Sequence, residues 1–145
     1  VRQTEGAVGY VEQVFARQNN LPMAAIRNQT GQFVQPAIEA TVAAASGVMD
    51  RVEQQGDFRI SIVNAPDPAA YPIASWTYLL IPPHMDDCGR ARALRDVVQW
   101  ALSEGDAAAR ELHYAPLPDA VSTRVLERLG TVTCGPAREP LGGDA

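Results

Sequence analysis

The chain has 145 residues, of which 46% are hydrophobic and 20% are charged, a composition typical of a folded globular domain. Its formal net charge is −5, which would repel the phosphate backbone of a nucleic acid, so we predict no nucleic-acid partner. The longest strongly apolar run, residues 76–81, is far shorter than the ~18–20 residues of a transmembrane helix.

The first residues carry neither an initiator Met nor the basic and apolar stretches of a signal peptide. We therefore expect that a signal has been removed or that the sequence starts partway through a longer protein. Residues 6–11 are rich in small and β-compatible side chains and predict a buried strand. A helix through Val14 follows and ends at residues 19–20. Residues 23–34 then predict a β-hairpin with its turn at 28–31.

The middle of the chain predicts one helix and two strands. The helix starts near Pro36, where the missing N–H of proline is tolerated, and stops at Gly47 or Gly56. Residues 58–63 alternate between apolar and polar side chains, as in a half-buried strand. Residues 71–81 are rich in β-branched and aromatic side chains and predict a further strand.

Apolar residues recur at helical spacing from residue 91 to residue 102, which predicts a long helix. Asp86 or Asp87 can cap its amino end, and Gly105 can stop it.

A short helix is predicted at residues 106–112, and a last one runs from a cap at Asp119 to Gly130. The remaining residues contain several Pro and Gly. We therefore predict one domain at residues 1–130 and a loose tail at residues 131–145.

Helices and strands mix without strict alternation, which predicts an α/β fold with a multi-strand sheet flanked by helices. The strand at residues 6–11 would sit best inside a sheet, yet few neighbouring strands remain in the chain to surround it. This pattern indicates missing sequence.

Cys88 and Cys134 could form a disulfide in an oxidising compartment. Two unpaired small residues explain them equally well.

One cluster brings together the side chains of a metal or hydrolase site, namely His84, Asp86, Asp87 and Cys88. So many ligands so close in sequence cannot all point inward, and a metal site usually recruits a distant second segment. A turn followed by a helix cap is the favoured interpretation. A small hydrolase built on His84, Asp86, Asp87 and His113 remains the less favoured hypothesis, since no recognisable nucleophile accompanies them.

Tyr71, Trp76 and Tyr78 alternate along one predicted strand and could line a cleft, but we favour core or hinge packing. The sequence at Asn28 formally matches a glycosylation motif, and we interpret it as a turn.

Several short segments occur in an order that resembles one protein family. They are GAVGYVE (6–12), ARQNNL (16–21), NAP (64–66), AYPI (70–73), WALSEG (100–105) and YAPLP (114–118). In this order they resemble the later half of the phosphate-specific substrate-binding proteins of ABC transporters, over about residues 3–129.

The resemblance implies the carboxy-terminal portion of a two-lobed periplasmic-binding-protein fold of type II. It further implies inorganic phosphate as ligand, ABC transporter permease subunits as partners, and neither catalysis nor a cofactor. The expected location is periplasmic or elsewhere in the cell envelope, with a lipid anchor at a missing amino terminus left open.

The phosphate ligands of the family lie in a Thr-Phe segment, a Ser-Gly segment, an Asp and an Arg followed by Ser-Gly-Thr. All of them precede the glycine-rich segment at residues 6–11. The one Ser-Gly pair in this chain, Ser46-Gly47, follows an alanine-rich helix and is interpreted as a helix stop. The phosphate-binding residues are therefore unknown, and an envelope module for another oxyanion is the main alternative.

Overall fold

The computed structural model describes residues 3–142. Within this range the chain forms six helices and five strands of two residues each. The helices are α1 (Gln13–Gln18), α2 (Ile38–Ser46), α3 (Met49–Gln55), α4 (Cys88–Ser103), α5 (Asp106–Glu111) and α6 (Asp119–Gly130). The strands are β1 (Ile26–Arg27), β2 (Phe33–Val34), β3 (His84–Met85), β4 (Thr133–Cys134) and β5 (Glu139–Pro140). The predicted α/β class is thereby confirmed at the level of helices combined with strands.

The strands form two small sheets. β1 and β2 pair antiparallel, with Ile26 opposite Val34. β4 is the central strand of the other sheet, parallel to β3 and antiparallel to β5. The predicted hairpin is confirmed, although its first strand is shorter than expected.

A first hydrophobic core joins α2 and α3 to the extended chain that follows them. The small alanine side chains on α2 allow the extended chain to approach this helix closely, and larger aliphatic side chains fill the rest of the core. Its buried members are Ala44, Val48, Val52, Ile60, Ile62, Ala65, Ala70 and Ala74. This core positions the loop at residues 64–72 against α2, where the Tyr71 N–H donates to the Ala40 carbonyl at 3.0 Å.

A second core lies between α4, α6 and the three-stranded sheet. Its buried members are Ala91, Leu129, Val132, Cys134 and Leu141. A disulfide between Cys88 and Cys134 links the start of α4 to β4, which decides the question that the cysteine spacing left open. Val132, Cys134 and Leu141, which lie in the predicted loose tail, are instead buried in this core. Residues 143–145 lie outside the described range.

The helix predictions are largely confirmed. Asp87 caps α4 by accepting a hydrogen bond from the Arg90 N–H at 3.1 Å. Gly56 ends α3 in a left-handed conformation, with φ of 62°, which glycine adopts without a steric penalty. Asp119 differs from its predicted role, because it is the first residue of α6 and its side chain makes no capping hydrogen bond.

The predicted strand at residues 6–11 is wrong. This segment forms no strand, and Val8 and Tyr10 are 96% and 98% exposed. A strand exists only when a neighbouring strand accepts its hydrogen bonds, and none of the described residues provides one here.

The predicted strands at residues 58–63 and 71–81 are also absent as regular strands. The two segments nevertheless run side by side: Asn64 donates to the Pro72 carbonyl, the Trp76 indole to Ile60 and the Tyr78 hydroxyl to Phe58. In each pair the residue numbers add to the same value, as in an antiparallel register. The side chains of Trp76 and Tyr78 therefore donate hydrogen bonds to backbone carbonyls that would accept backbone N–H groups in a regular β-ladder.

Candidate functional site

The cluster at the start of α4 does not assemble into a metal or catalytic centre. Cys88 forms a disulfide with Cys134 and so has no free thiol. Asp87 caps the amino end of α4. The His84 Nδ1 lies 3.0 Å from the Thr133 hydroxyl, and its Nε2 lies 3.7 Å from an Asp86 carboxylate oxygen that is fully exposed. Across residues 3–142 no three His, Cys, Asp or Glu side chains are grouped to hold a metal ion.

The other histidine of the hydrolase hypothesis has a different structural role. His113 follows α5 with φ of 62°, and its N–H donates to the Arg110 carbonyl at 3.0 Å. It thus lies in the turn that ends this short helix. In the cluster at residues 84–88, the helix cap is confirmed at Asp87, whereas His84–Met85 form strand β3 rather than a turn because they pair with β4.

Two of the three aromatic residues that could have lined a cleft, Trp76 and Tyr78, instead link two segments of the chain through side-chain hydrogen bonds. Trp76 packs against the first core, and its indole N–H donates to the Ile60 carbonyl at 2.8 Å. The Tyr78 hydroxyl donates to the Phe58 carbonyl at 2.9 Å. Burial raises the pKa of Tyr71 above its ordinary value. The packing interpretation is confirmed for Trp76, whereas Tyr78 is 51% exposed and contacts the neighbouring segment through its hydroxyl.

A cleft of about 270 Å³ between α3 and α6 carries two arginines, Arg124 and Arg128. Guanidinium groups are frequent phosphate ligands. Two carboxylates, Glu53 and Glu127, line the same cleft, and Arg124 is paired with Glu127 at 3.1 Å. The formal charges of the cleft therefore balance, with two guanidinium groups and two carboxylates.

A surface ion pair lies in the chain segment that follows α3. Arg59 donates to Asp57 at 2.6 Å, and this hydrogen bond lowers the pKa of that carboxyl to about 2. The same pair raises the pKa of Arg59. Both groups are solvent-exposed, so the pair contributes little to stability.

The side chain of Asn28 joins two loops, and sequence inspection did not single it out for this role. It is 5% exposed. Its amide nitrogen lies 3.4, 3.0 and 3.2 Å from the carbonyls of Asp67, Pro68 and Ala70. Its oxygen accepts from the Thr30 N–H and hydroxyl and the Gln32 N–H.

This network confirms the turn interpretation of Asn28, because the buried amide has no room for a glycan. The hydrogen bonds within the turn could be predicted from the sequence, since Asn favours turns in which its side chain accepts backbone N–H groups. The contacts to residues 67–70 are remote in sequence, and no local signal marked them.

Ser46-Gly47 is the end of α2, with Gly47 as its carboxy-terminal cap. The interpretation of this pair as a helix stop is confirmed. Where the chain passes from α2 to α3, an added Cβ on Gly47 would lie 3.3 Å from the Asp67 Cβ. The glycine thus allows close packing of the loop on the helix and does not present an anion site.

No protein-family model matches the chain. Individual proteins do. The phosphate-binding protein PstS of Xylella fastidiosa (strain Temecula1) is 38% identical over 118 residues, which cover 81% of this chain and 32% of that protein. PstS of Haemophilus influenzae is 36% identical over 124 residues, covering 85% of this chain and 36% of that protein.

A third relative gives the same result. PstS of Methanocaldococcus jannaschii is 32% identical over an alignment of 134 residues, covering 84% of this chain and 34% of that protein. The chain spans about a third of the length of the curated relatives that it matches. These matches confirm the family indicated by the order of the segments: over most of its length the chain is a relative of the phosphate-binding proteins named PstS.

Proposed function

We propose that the chain is the carboxy-terminal part of a protein that binds inorganic phosphate outside the cytoplasmic membrane and delivers it to the permease of an ABC transporter. The observation that carries this proposal is the match to PstS proteins, at 32–38% identity over more than 80% of the chain. Identity spread over so much of the chain reflects a shared fold rather than a single shared motif.

The full fold in this proposal is the two-lobed periplasmic-binding-protein fold of type II. Two observations support it. The described residues form two separate hydrophobic cores, and the three-stranded sheet is mixed and packs with α4 and α6 in the second core. Residues 1–130 would contribute the domain portion. The burial of Val132, Cys134 and Leu141 in the second core extends this portion toward the carboxyl end.

In this account the residues that contact phosphate lie outside residues 1–145. The Ser-Gly pair ends a helix, and the arginines of the cleft between α3 and α6 are matched by carboxylates. A phosphate site requires uncompensated hydrogen-bond donors that converge on one point.

An extracytoplasmic location is supported by the Cys88–Cys134 disulfide, because such bonds persist mainly in oxidising compartments. No described helix combines the length and the apolarity needed to cross a bilayer. The protein would act by binding, without catalysis. The structural roles of Asp87, as a helix cap, and Cys88, as a disulfide partner, weigh against the hydrolase hypothesis.

A chimera tests the proposal. The matched stretch of 118 residues in Xylella PstS would be replaced by the corresponding stretch of this chain, and equilibrium dialysis would measure labelled phosphate with sulfate as competitor. We expect phosphate binding that sulfate does not displace. A folded chimera that fails to bind phosphate would refute the proposal. Preference for sulfate would favour the alternative, a module for another oxyanion.

A further inference from the structure

The two hydrophobic cores belong to two units of the chain that are weakly connected. The first unit, residues 13–76, contains the first core, and the second unit, residues 84–142, contains the second core. No backbone hydrogen bond between described residues joins the two units. An ion pair does, between Arg110 of α5 and Glu39 of α2 at 3.4 Å. We therefore expect the units to move relative to each other about residues 77–83.

The cleft of about 270 Å³ between α3 and α6 separates the same two units. Val52, Glu53 and Phe58 line it from the first unit, and Arg124 and Arg128 line it from the second. Among the described residues, no backbone hydrogen bond crosses from α3 to α6. The cleft is therefore a gap between the units, with charged side chains on both of its walls.

Opposite charges face each other between the two units. Glu39 of the first unit pairs with Arg110 of the second. The low pKa of Asp57 is caused mainly by its hydrogen bond with Arg59, and the positive charge of Arg128 lowers it further. Arg128 therefore lies within electrostatic range of the first unit, on a side where that unit carries carboxylates.

Two charged side chains of the cleft have no fixed partner. Arg124 pairs with Glu127 at 3.1 Å. In the part of the chain that the structure describes, neither the Arg128 guanidinium nor the Glu53 carboxylate makes a hydrogen bond or an ion pair. Both are exposed, so water solvates their charges in this arrangement. A movement of α3 towards α6 would bring the two groups together and would shield the half-buried ring of Phe58 from water.

We propose that Glu53 and Arg128 form a latch, an ion pair that draws α3 and α6 together and fixes the position of the first unit relative to the second. A single exposed ion pair adds little to the stability of a fold. The equilibrium between two arrangements of hinged units, however, shifts with a small difference in free energy. The latch needs no bound ligand and therefore goes beyond the proposed function.

Pulsed electron paramagnetic resonance between spin labels on α3 and α6 tests the latch in residues 1–145. The labels would be attached at Gln54→Cys and Thr123→Cys, two exposed positions, because the native cysteines are joined in the disulfide and do not react. At low salt we expect one narrow distribution of distances. In 1 M NaCl, where the Debye length is about 3 Å, the mean distance should increase by more than about 2 Å, the size of an ordinary helix shift. A distance that does not depend on salt would overturn the proposal.

Charge reversals identify the residues of the latch. Glu53→Arg and Arg128→Glu should each lengthen the distance at low salt, because each places like charges across the cleft. The variant with both substitutions should restore the short distance, since it forms the same pair with the signs exchanged. Glu104→Arg makes the same change of charge at an exposed position after α4, and this control should leave the distance unchanged. A double variant with the long distance, or an equal effect of the control, would overturn the assignment.

The milder variants Glu53→Gln and Arg128→Gln remove a charge without reversing it. If circular dichroism shows that a reversal variant unfolds, these variants replace it and should also lengthen the distance. An unchanged distance in both would overturn the latch.

The same labels in the chimera with Xylella PstS repeat the measurement in a longer polypeptide, and a loss of the salt dependence there would also overturn the latch. Phosphate binding by the chimera is a separate result. A chimera with the latch that does not bind phosphate would leave the latch standing and refute the proposed function.

Discussion

At the scale of single residues, Asn28 carries the most information about the fold. Three carbonyls of the loop at residues 67–70 and three donors of the β1–β2 turn converge on one side chain that is 5% exposed. Buried polar groups stabilise a structure only when every partner is present. Asn28 therefore fixes the hairpin against the loop that follows the first core.

The variant Asn28→Asp keeps the shape of this side chain but replaces its N–H donors with a carboxylate oxygen. We expect a loss of about 1–3 kcal/mol in the free energy of unfolding, because the carbonyls lose their donor and face a negative charge. Urea denaturation measures the change. Gln54→Ala, at an exposed position of α3, is the control that should leave stability unchanged. A stable Asn28→Asp variant would contradict the role assigned to this residue.

Gly135 is the second residue with a specific requirement. Its φ is +66°, and an added Cβ would lie 3.1 Å from the Cys88 Sγ. Gly56 has a similar φ of +62° with open space around it. The two glycines thus separate the cost of backbone strain from the cost of contact with the disulfide.

We expect Gly56→Ala to cost about 1 kcal/mol through strain alone. Gly135→Ala should cost about 2–3 kcal/mol, because the methyl group also displaces the sulfur. Chemical denaturation of both variants gives the comparison. Equal losses would mean that the disulfide moves freely to accommodate the methyl group.

At the scale of elements, the disulfide holds the second core together. Cys134 is 1% exposed and lies in the central strand of the three-stranded sheet, while Cys88 begins α4. The crosslink spans 46 positions of sequence. It therefore removes much of the freedom that the unfolded chain would have in this region.

Reduction of this bond should lower the free energy of unfolding by about 4 kcal/mol, the value expected from the entropy of a loop of this length. Thermal unfolding followed by circular dichroism, with and without a reductant, measures the effect. In the control variant, which carries both Cys88→Ser and Cys134→Ser, the reductant should leave the unfolding transition unchanged. An equal response of both proteins would show that the reductant acts elsewhere.

The contrast between helices and strands shows what the sequence could predict. Most helices were predicted close to their observed positions, because caps such as Asp87 and stops such as Gly56 act within a few residues. The single helix predicted after Pro36 is two helices, α2 and α3, separated at Gly47. Residues 58–63 and 71–81 have strand-like composition and run side by side, yet they form no regular strand. Strand formation depends on partners remote in sequence, and composition alone cannot supply them.

At the candidate functional site, too, roles that depend on neighbours in sequence could be predicted and roles that depend on remote contacts could not. The spacing of the residues near His84 made a metal centre the less favoured hypothesis, and the structure assigns local roles to Asp87 and Cys88. The disulfide and the remote contacts of Asn28 depend on tertiary structure. Neither was determined by any local pattern of residues.

At the scale of the whole molecule, the described residues leave a large amount of apolar side chain exposed. Val8, Tyr10, Ile73 and Leu80 are each more than 60% exposed. Two small cores and short sheets bury limited surface, and stability grows with buried apolar area. The chain is therefore expected to be marginally stable in isolation.

Calorimetry checks this expectation. The isolated chain should unfold at low temperature in a broad transition, and the chimera with Xylella PstS should unfold in a sharper one at higher temperature. A sharp two-state transition of a monomeric sample of the chain alone would contradict the account of an incomplete fold.

The central claim is that this relative of PstS proteins needs further polypeptide to hold phosphate. Equilibrium dialysis of residues 1–145 with labelled phosphate, with sulfate as competitor, tests it most directly. The account predicts no specific binding by the chain alone. Tight binding that sulfate does not displace would contradict it, because the ligand residues would then lie within these 145 residues.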